Sequence, residues 1–209
     1  MDDKKIEKSN IEMKVFLGIS IGLFILLTVF IFLGVTDSID QALLSYVISI
    51  RSDFLTKFFT IITNIGSAYT LMAISVLILL IKKNKKKAFL ITINLALVFI
   101  TSQVFKVLIR RDRPALVFLV NATGYSYPSG HMMVSSAFYF YILYLLCRKI
   151  NNKIVRGVLF ILTFGLIILI GFSRMYLGVH YLTDIIGAIL LSVVYLIVFI
   201  TYTKRISEV

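Results

Sequence analysis

The chain is poor in the residues that build most enzyme sites. It has one cysteine, two histidines, two prolines and 10 acidic residues in 209. A single cysteine, Cys147, excludes an intramolecular disulfide and shows no metal-ligand spacing. It reads as a small apolar residue near a helix end. No proline-, glycine- or serine-rich linker, no repeat and no soluble domain can be recognised, so residues 1–209 read as one integral-membrane domain. No small-residue cleavage pattern closes the first apolar run before Asp37, and that run reads as a retained helix, not a cleaved leader.

What is abundant is apolar. The chain is 59% hydrophobic, with a mean hydropathy of +0.98, well above that of a soluble domain. Its 22 basic residues give a net charge of +12. In a soluble protein that surplus would point to nucleic acid. Here the basic residues punctuate apolar runs long enough to cross a bilayer, and the membrane reading wins.

Six runs predict transmembrane helices: Val15–Val35, Ile61–Ile81, Ala88–Ile109, Met132–Cys147, Val155–Phe172 and Ile185–Tyr202. The fold class is therefore all-α, a polytopic six-transmembrane-helix bundle. Between the first two spans, Asp37, Asp40, Arg51, Asp53 and Lys57 interrupt a partial apolar stripe of Leu43, Leu44, Val47, Ile48 and Ile50. That pattern predicts a short amphipathic helix on the membrane or capping the bundle. Of the 22 Lys and Arg residues, 15 fall in the N-terminus, the second and fourth interhelical loops and the C-terminus; 7 fall on the other side. The bias predicts cytoplasmic termini.

Three clusters stand on the less basic, extracytoplasmic side. Lys106, Arg110 and Arg113 share one face if the third helix runs on to Pro114. Stacked like charges repel, and an anion between them removes the penalty; the alternative is a juxtamembrane cluster snorkelling to headgroups. Pro128-Ser129-Gly130-His131 directly precedes an apolar run. A helix N-terminus with glycine there can approach and bind an anion. A plain N-cap accounts for Pro128 and Ser129 equally well, but not for His131. Ser173-Arg174 is followed by His180, with Asp184 one turn beyond it. That carboxylate can fix the tautomer of the imidazole; a capping acid beside an interfacial histidine is the plainer reading. Charges bordering a span are costly unless paired or functional.

Lysine, six residues, Arg-Pro; Pro-Ser-Gly-His; and Ser-Arg, five residues, His, three residues, Asp resemble the three motifs of the type 2 phosphatidic acid phosphatase family. These are membrane lipid phosphatases related to the vanadium haloperoxidases, and the layout of the resemblance covers essentially the whole chain. The resemblance implies a metal-independent phosphatase without cofactor, working through a phosphohistidine. His180 would be the nucleophile, Asp184 its orienting acid, and His131 the acid and then the base. Lys106, Arg113, Ser129, Gly130 and Arg174 would hold the phosphoryl oxygens, basic residues standing in place of a metal.

Small bacterial members of that family act on undecaprenyl pyrophosphate or phosphatidylglycerophosphate. The compact form and outward site favour undecaprenyl pyrophosphate, the recycled cell-wall carrier, with phosphatidylglycerophosphate or phosphatidic acid as the alternatives. The apolar stretch Leu116–Val120 suits a lipid entering from the outer leaflet. Arg110, outside the motif pattern, is a candidate contact for a second phosphate. Usage rich in Ile, Lys and Asn fits an AT-rich bacterium, and hence a bacterial plasma membrane. A lipid transporter explains the charges but not the paired histidines; a phosphotransferase would keep the same nucleophile. The sequence carries no sign of oligomeric state.

Overall fold

The computed structural model describes residues 3–82, 84–115 and 118–207, apart from the side chains of 3–10 and 205–207. Leu116 and Val117 of the expected lipid-entry stretch lie outside the described residues, as do Lys83 and the side chains of Lys4, Lys5, Lys8 and Arg205. The described residues form eight α-helices and no strand: α1 (Asp3–Phe32), α2 (Asp37–Ser49), α3 (Asp53–Ile65), α4 (Ala68–Ile81), α5 (Lys85–Ile109), α6 (Gly130–Cys147), α7 (Lys153–Tyr176) and α8 (Leu182–Ser207). Five of them, α1, α5, α6, α7 and α8, are each long and apolar enough to cross a membrane. The pair α3 and α4, bent by 46° at a short break, is apolar and long enough only when taken together, and makes up to six crossings if it counts as one.

That bend corrects the sequence expectation of a plain helix over Ile61–Ile81. The helix begins at Asp53, where the Ser52 hydroxyl accepts the Leu55 N–H. It breaks at Gly66-Ser67, and Ser67 caps α4 by accepting the Thr70 N–H. Gly66 is there for space: a Cβ would stand 2.6 Å from Cγ2 of Ile170 on α7. The expected amphipathic segment is thus two helices. Of these, α2 buries Asp40, Leu44 and Val47 at helical spacing, and α3 forms the bent pair with α4.

Lipid is as apolar as leucine, so apolar burial alone does not drive these helices together; close packing and polar contacts do. The central helix is α6, which packs on α4, α5, α7 and α8 and buries Met132 to Phe138 without a break. Asn94 of α5 donates to the Ala137 carbonyl (3.1 Å), and the Tyr195 hydroxyl of α8 donates to the Asn94 carbonyl (2.9 Å). One buried residue, through its side-chain amide and its backbone carbonyl, thereby ties three helices. Outward faces of α1 and α7 carry exposed Phe16, Leu26, Phe160 and Leu162, as a bilayer contact requires. The C-termini of α5 and α7 and the N-termini of α6 and α8 meet at one end of the bundle, and α2 lies against α7 and α8 there.

Candidate active site

The site begins with how α5 ends. Lys106 sits in its last turn, almost buried, and its Nζ donates to the carbonyls of Tyr125 and Ser126. Four residues later Arg110 adopts the left-handed conformation (φ 54°, ψ 36°), uncommon for a residue with a Cβ, and its N–H closes on the Lys106 carbonyl at 2.9 Å. The helix therefore stops at Ile109, well short of Pro114. Lys106, Arg110 and Arg113 do not share a helical face, contrary to the sequence expectation. Arg110 is exposed, with Nε folded back on the Val107 carbonyl (2.9 Å). The turn sends Arg111 and Arg113 inward instead.

Arg113 is pinned by four carbonyls: Gly124 (2.9 Å), Val179 (2.8 Å), Thr123 (3.0 Å) and Tyr125 (3.4 Å). Its Nη1 also lies 3.4 Å from Nε2 of His180. Ser129 is the N-cap residue of α6, and its N–H donates to the Asp184 carbonyl (3.1 Å), which ties the second motif to the third. Gly130 packs on α5: a Cβ would lie 3.6 Å from Cε of Lys106. His131 lies within electrostatic range of Arg174, His180, Arg113 and Lys106. Arg174, 4% exposed, donates from Nη1 to the Thr63 hydroxyl at 2.7 Å.

His180 is 2% exposed, with Nδ1 3.2 Å from Oδ2 of Asp184. A guanidinium has only donors to offer, so the contact with Arg113 favours Nε2 as the acceptor, while the Ser126 backbone is a further hydrogen-bond partner of the ring. That arrangement puts the proton on Nδ1, 3.2 Å from Oδ2 of Asp184, and turns the Nε2 lone pair toward Arg113. Burial first, then the charges of Lys106, Arg174 and Arg113, holds the His180 imidazole well below its ordinary pKa. The ring is neutral near pH 7. Three buried or half-buried cations around two imidazoles can hold a phosphoryl group and offer it one nucleophilic nitrogen. The Ser129 hydroxyl and Arg174 Nε, both buried, have no hydrogen-bond partner among the described residues, as donors meant for a ligand would.

The sequence-predicted residues Lys106, Arg113, Ser129, Gly130, His131, Arg174, His180 and Asp184 thus converge; Arg110 does not. Two charged residues escaped prediction as site members. Arg111 bridges Asp184 and Asp40, at 2.7 Å to each carboxylate. Burial opposes the Arg111 charge, but Asp184 and Asp40 outweigh it and raise its pKa above the usual guanidinium value. In the sequence Arg111 is one of four basic residues within eight, and Asp40 one of several acids in an amphipathic stretch. The available signal was an acid at the same helical register as the buried Leu44 and Val47. A half-open cavity of about 160 Å³ adjoins Arg113, lined also by Asp37, Gln41, Asp112 and Tyr181.

Comparison with known proteins agrees with this geometry. Phosphatidylglycerophosphatase B of Bacillus subtilis (strain 168) is 29% identical over 172 residues, 78% of this chain and 83% of the relative. A crystal structure described as a transmembrane PAP2 type phosphatidylglycerolphosphate phosphatase from Bacillus subtilis superposes with a TM-score of 0.83 at 26% identity, covering 91% of this chain and 96% of that one. Aquifex aeolicus LpxE shares the fold, with a TM-score of 0.61 at 23% identity over 78% of this chain and 96% of its own. The family model described as the PAP2 superfamily matches residues 87–208, a stretch holding all three charged clusters; the chain belongs to the PAP2 superfamily.

Proposed function

We propose that this PAP2 lipid phosphatase cleaves a phosphate monoester from a membrane lipid through a phosphohistidine on His180, without a metal. The observation that carries the reading is the buried His180, with Nδ1 3.2 Å from Asp184 and Nε2 3.4 Å from Arg113, within electrostatic range of Lys106 and Arg174. Nε2 attacks phosphorus in line, and the bond to the lipid oxygen breaks as His131 donates a proton to it. His131, now a base, takes a proton from water; the water attacks phosphorus, the P–N bond breaks and inorganic phosphate leaves. Lys106, Arg113 and Arg174 hold the phosphoryl oxygens, with the Ser129 hydroxyl and the Gly130 N–H at the start of α6 completing the cradle.

The substrate class the comparisons favour is phosphatidylglycerophosphate, the activity named for the Bacillus subtilis relative and in the description of the Bacillus subtilis crystal structure. Undecaprenyl pyrophosphate, the expectation from sequence, stands second. Arg110, the residue expected to meet its second phosphate, is exposed and engaged on its own helix. In detergent with EDTA, the purified protein should release phosphate from phosphatidylglycerophosphate faster than from undecaprenyl pyrophosphate. Arg110→Ala should alter kcat/KM on either lipid by less than about twofold, as ordinary surface substitutions do. A loss confined to the pyrophosphate lipid would restore that lipid to first place. Arrest by EDTA would remove the metal-independent mechanism.

The protein is a multi-pass membrane protein. We place its termini in the cytoplasm and the site outside, on the 15 to 7 bias of basic residues. Labelling of Cys147, at the end of α6 away from the site, by an impermeant thiol reagent in intact cells would reverse that orientation.

A further inference from the structure

The scheme above uses Lys106, Arg113 and Arg174 and leaves Arg111 and Asp40 without a task. Both are costly to keep. Asp40 is fully buried, and Arg111 is 10% exposed at its side chain. Asp184 divides its two oxygens between two sets of donors. Oδ1 accepts from Arg111 Nη1 at 2.7 Å, with the Ser126 hydroxyl at 3.5 Å. Oδ2 accepts from the Tyr181 N–H at 2.9 Å and faces His180 Nδ1 at 3.2 Å. The other end of the guanidinium is fixed by Asp40, at 2.7 Å from Nη2 to Oδ2. Asp40 is itself fixed by the Thr183 N–H (3.1 Å) and the Thr183 hydroxyl, so a side chain of α2 caps the start of α8. Arg111 also lies over the Tyr181 ring, 4.4 Å from its centroid.

We propose that Arg111, anchored by Asp40 of α2, is a positioning residue that fixes the Asp184 carboxylate so that Oδ2 faces His180 Nδ1 and the nucleophilic lone pair stays on Nε2. The proposal rests on His180 being the nucleophile. The physical reason is rotational: a carboxylate turns easily about Cβ–Cγ, and a charged donor on Oδ1 pins the plane more firmly than the Tyr181 N–H on Oδ2 does alone. If the plane turns, Nδ1–H loses its acceptor and the tautomer with the proton on Nε2 becomes accessible, which has no lone pair for phosphorus. Losing the correct tautomer outright in a triad costs about 10⁴-fold; loosening the acid that selects it should cost less.

The charged and titratable groups around His180 come from every element packed there: Lys106 of α5, His131 of α6, Arg174 of α7, Asp184 of α8, Arg113 and the Ser126 backbone of the α5–α6 loop, and, behind Asp184, Arg111 of that loop and Asp40 of α2. Arg111→Met removes a positive charge from Asp184. The uncompensated carboxylate then favours the imidazolium, so the acidic limb of kcat/KM moves to higher pH. Asp40→Asn directs more of the Arg111 charge to Asp184 and moves the limb the opposite way.

The experiment measures kcat, KM and the pH profile of phosphate release for Arg111→Met, Asp40→Asn and the double variant. Arg111→Met should lose about 100-fold in kcat with KM changed less than about threefold, the pattern of a lost transition-state contribution. The double variant leaves one buried carboxylate, Asp184, without its guanidinium where Arg111→Met leaves two, Asp184 and Asp40, so it should fold even if Arg111→Met does not. Its kcat should stay about 100-fold down. Recovery of wild-type kcat in the double variant would mark the pair as a structural strut and overturn the proposal. So would an unmoved acidic limb in every variant. If His180→Ala keeps its activity, the nucleophile assignment fails first; if His180→Ala is inactive while Arg111→Met equals wild type, only the positioning role fails.

Discussion

Phosphate release by a His180→Ala variant should fall by about 10⁴- to 10⁶-fold, the range observed when a covalent nucleophile is removed. The protein should remain folded. The polar partners of the ring include Asp184, Arg113 and the Ser126 backbone, and each keeps other contacts without it: Asp184 retains Arg111 and the Tyr181 N–H, Arg113 retains its carbonyls, and the Ser126 carbonyl retains Lys106. The cationic cradle survives, so inorganic phosphate should still bind the variant and raise its melting temperature. His131→Ala should lose less, about 10²- to 10⁴-fold, as general acid–base groups do. A His180→Ala enzyme within 100-fold of wild type, beside a more damaged His131→Ala, would exchange the two roles.

Gly187→Ala should be the most damaging single methyl in the bundle. A Cβ at 187 would stand 2.4 Å from both Cε2 and the hydroxyl of Tyr127, and 2.5 Å from Cζ. The ring cannot give way cheaply. Tyr127 is fully buried, stacks on Phe24 (centroids 5.8 Å apart) and bonds the Thr28 hydroxyl at 3.0 Å. Burial pushes its phenol up to about 12, so it stays a neutral partner for Thr28. Any displacement of Tyr127 carries along Pro128 and Ser129, and with them the start of α6. The expected cost is about 3 kcal/mol, at the upper end of overpacking, together with loss of activity from a displaced second motif. Thermal unfolding in detergent and phosphate release check this. Tyr127→Leu in the Gly187→Ala background should recover much of the melting temperature by freeing the space. No change in melting temperature for Gly187→Ala would show that the contact between α8 and the loop before α6 is loose.

The sequence was most legible where one local rule sufficed. Long apolar runs set the spans, and fixed spacings marked Lys106, Arg113, Ser129, His131, Arg174, His180 and Asp184, which the ends of α5, α6, α7 and α8 bring together. Where the outcome depended on one backbone residue, the reading erred. The left-handed Arg110 ends α5 early, sends Arg111 and Arg113 inward and leaves Arg110 exposed, and nothing in the residue type requires that conformation. The break at Gly66-Ser67 had a visible signal, a glycine followed by a good capping residue, but the apolar count around it was persuasive enough to hide it. Asp40 and Thr63 were unreadable for a different reason. Their partners, Arg111 and Arg174, lie 71 and 111 residues away and reach them only across the folded bundle.

The most direct measurement is rapid acid-free quench of the enzyme with lipid carrying a labelled terminal phosphate, followed by mapping of the label. The account predicts a transient, alkali-stable and acid-labile phosphoprotein with the label on His180, formed equally in EDTA and absent from His180→Ala. Label on any other residue, or full turnover with no labelled protein at any time, would contradict it.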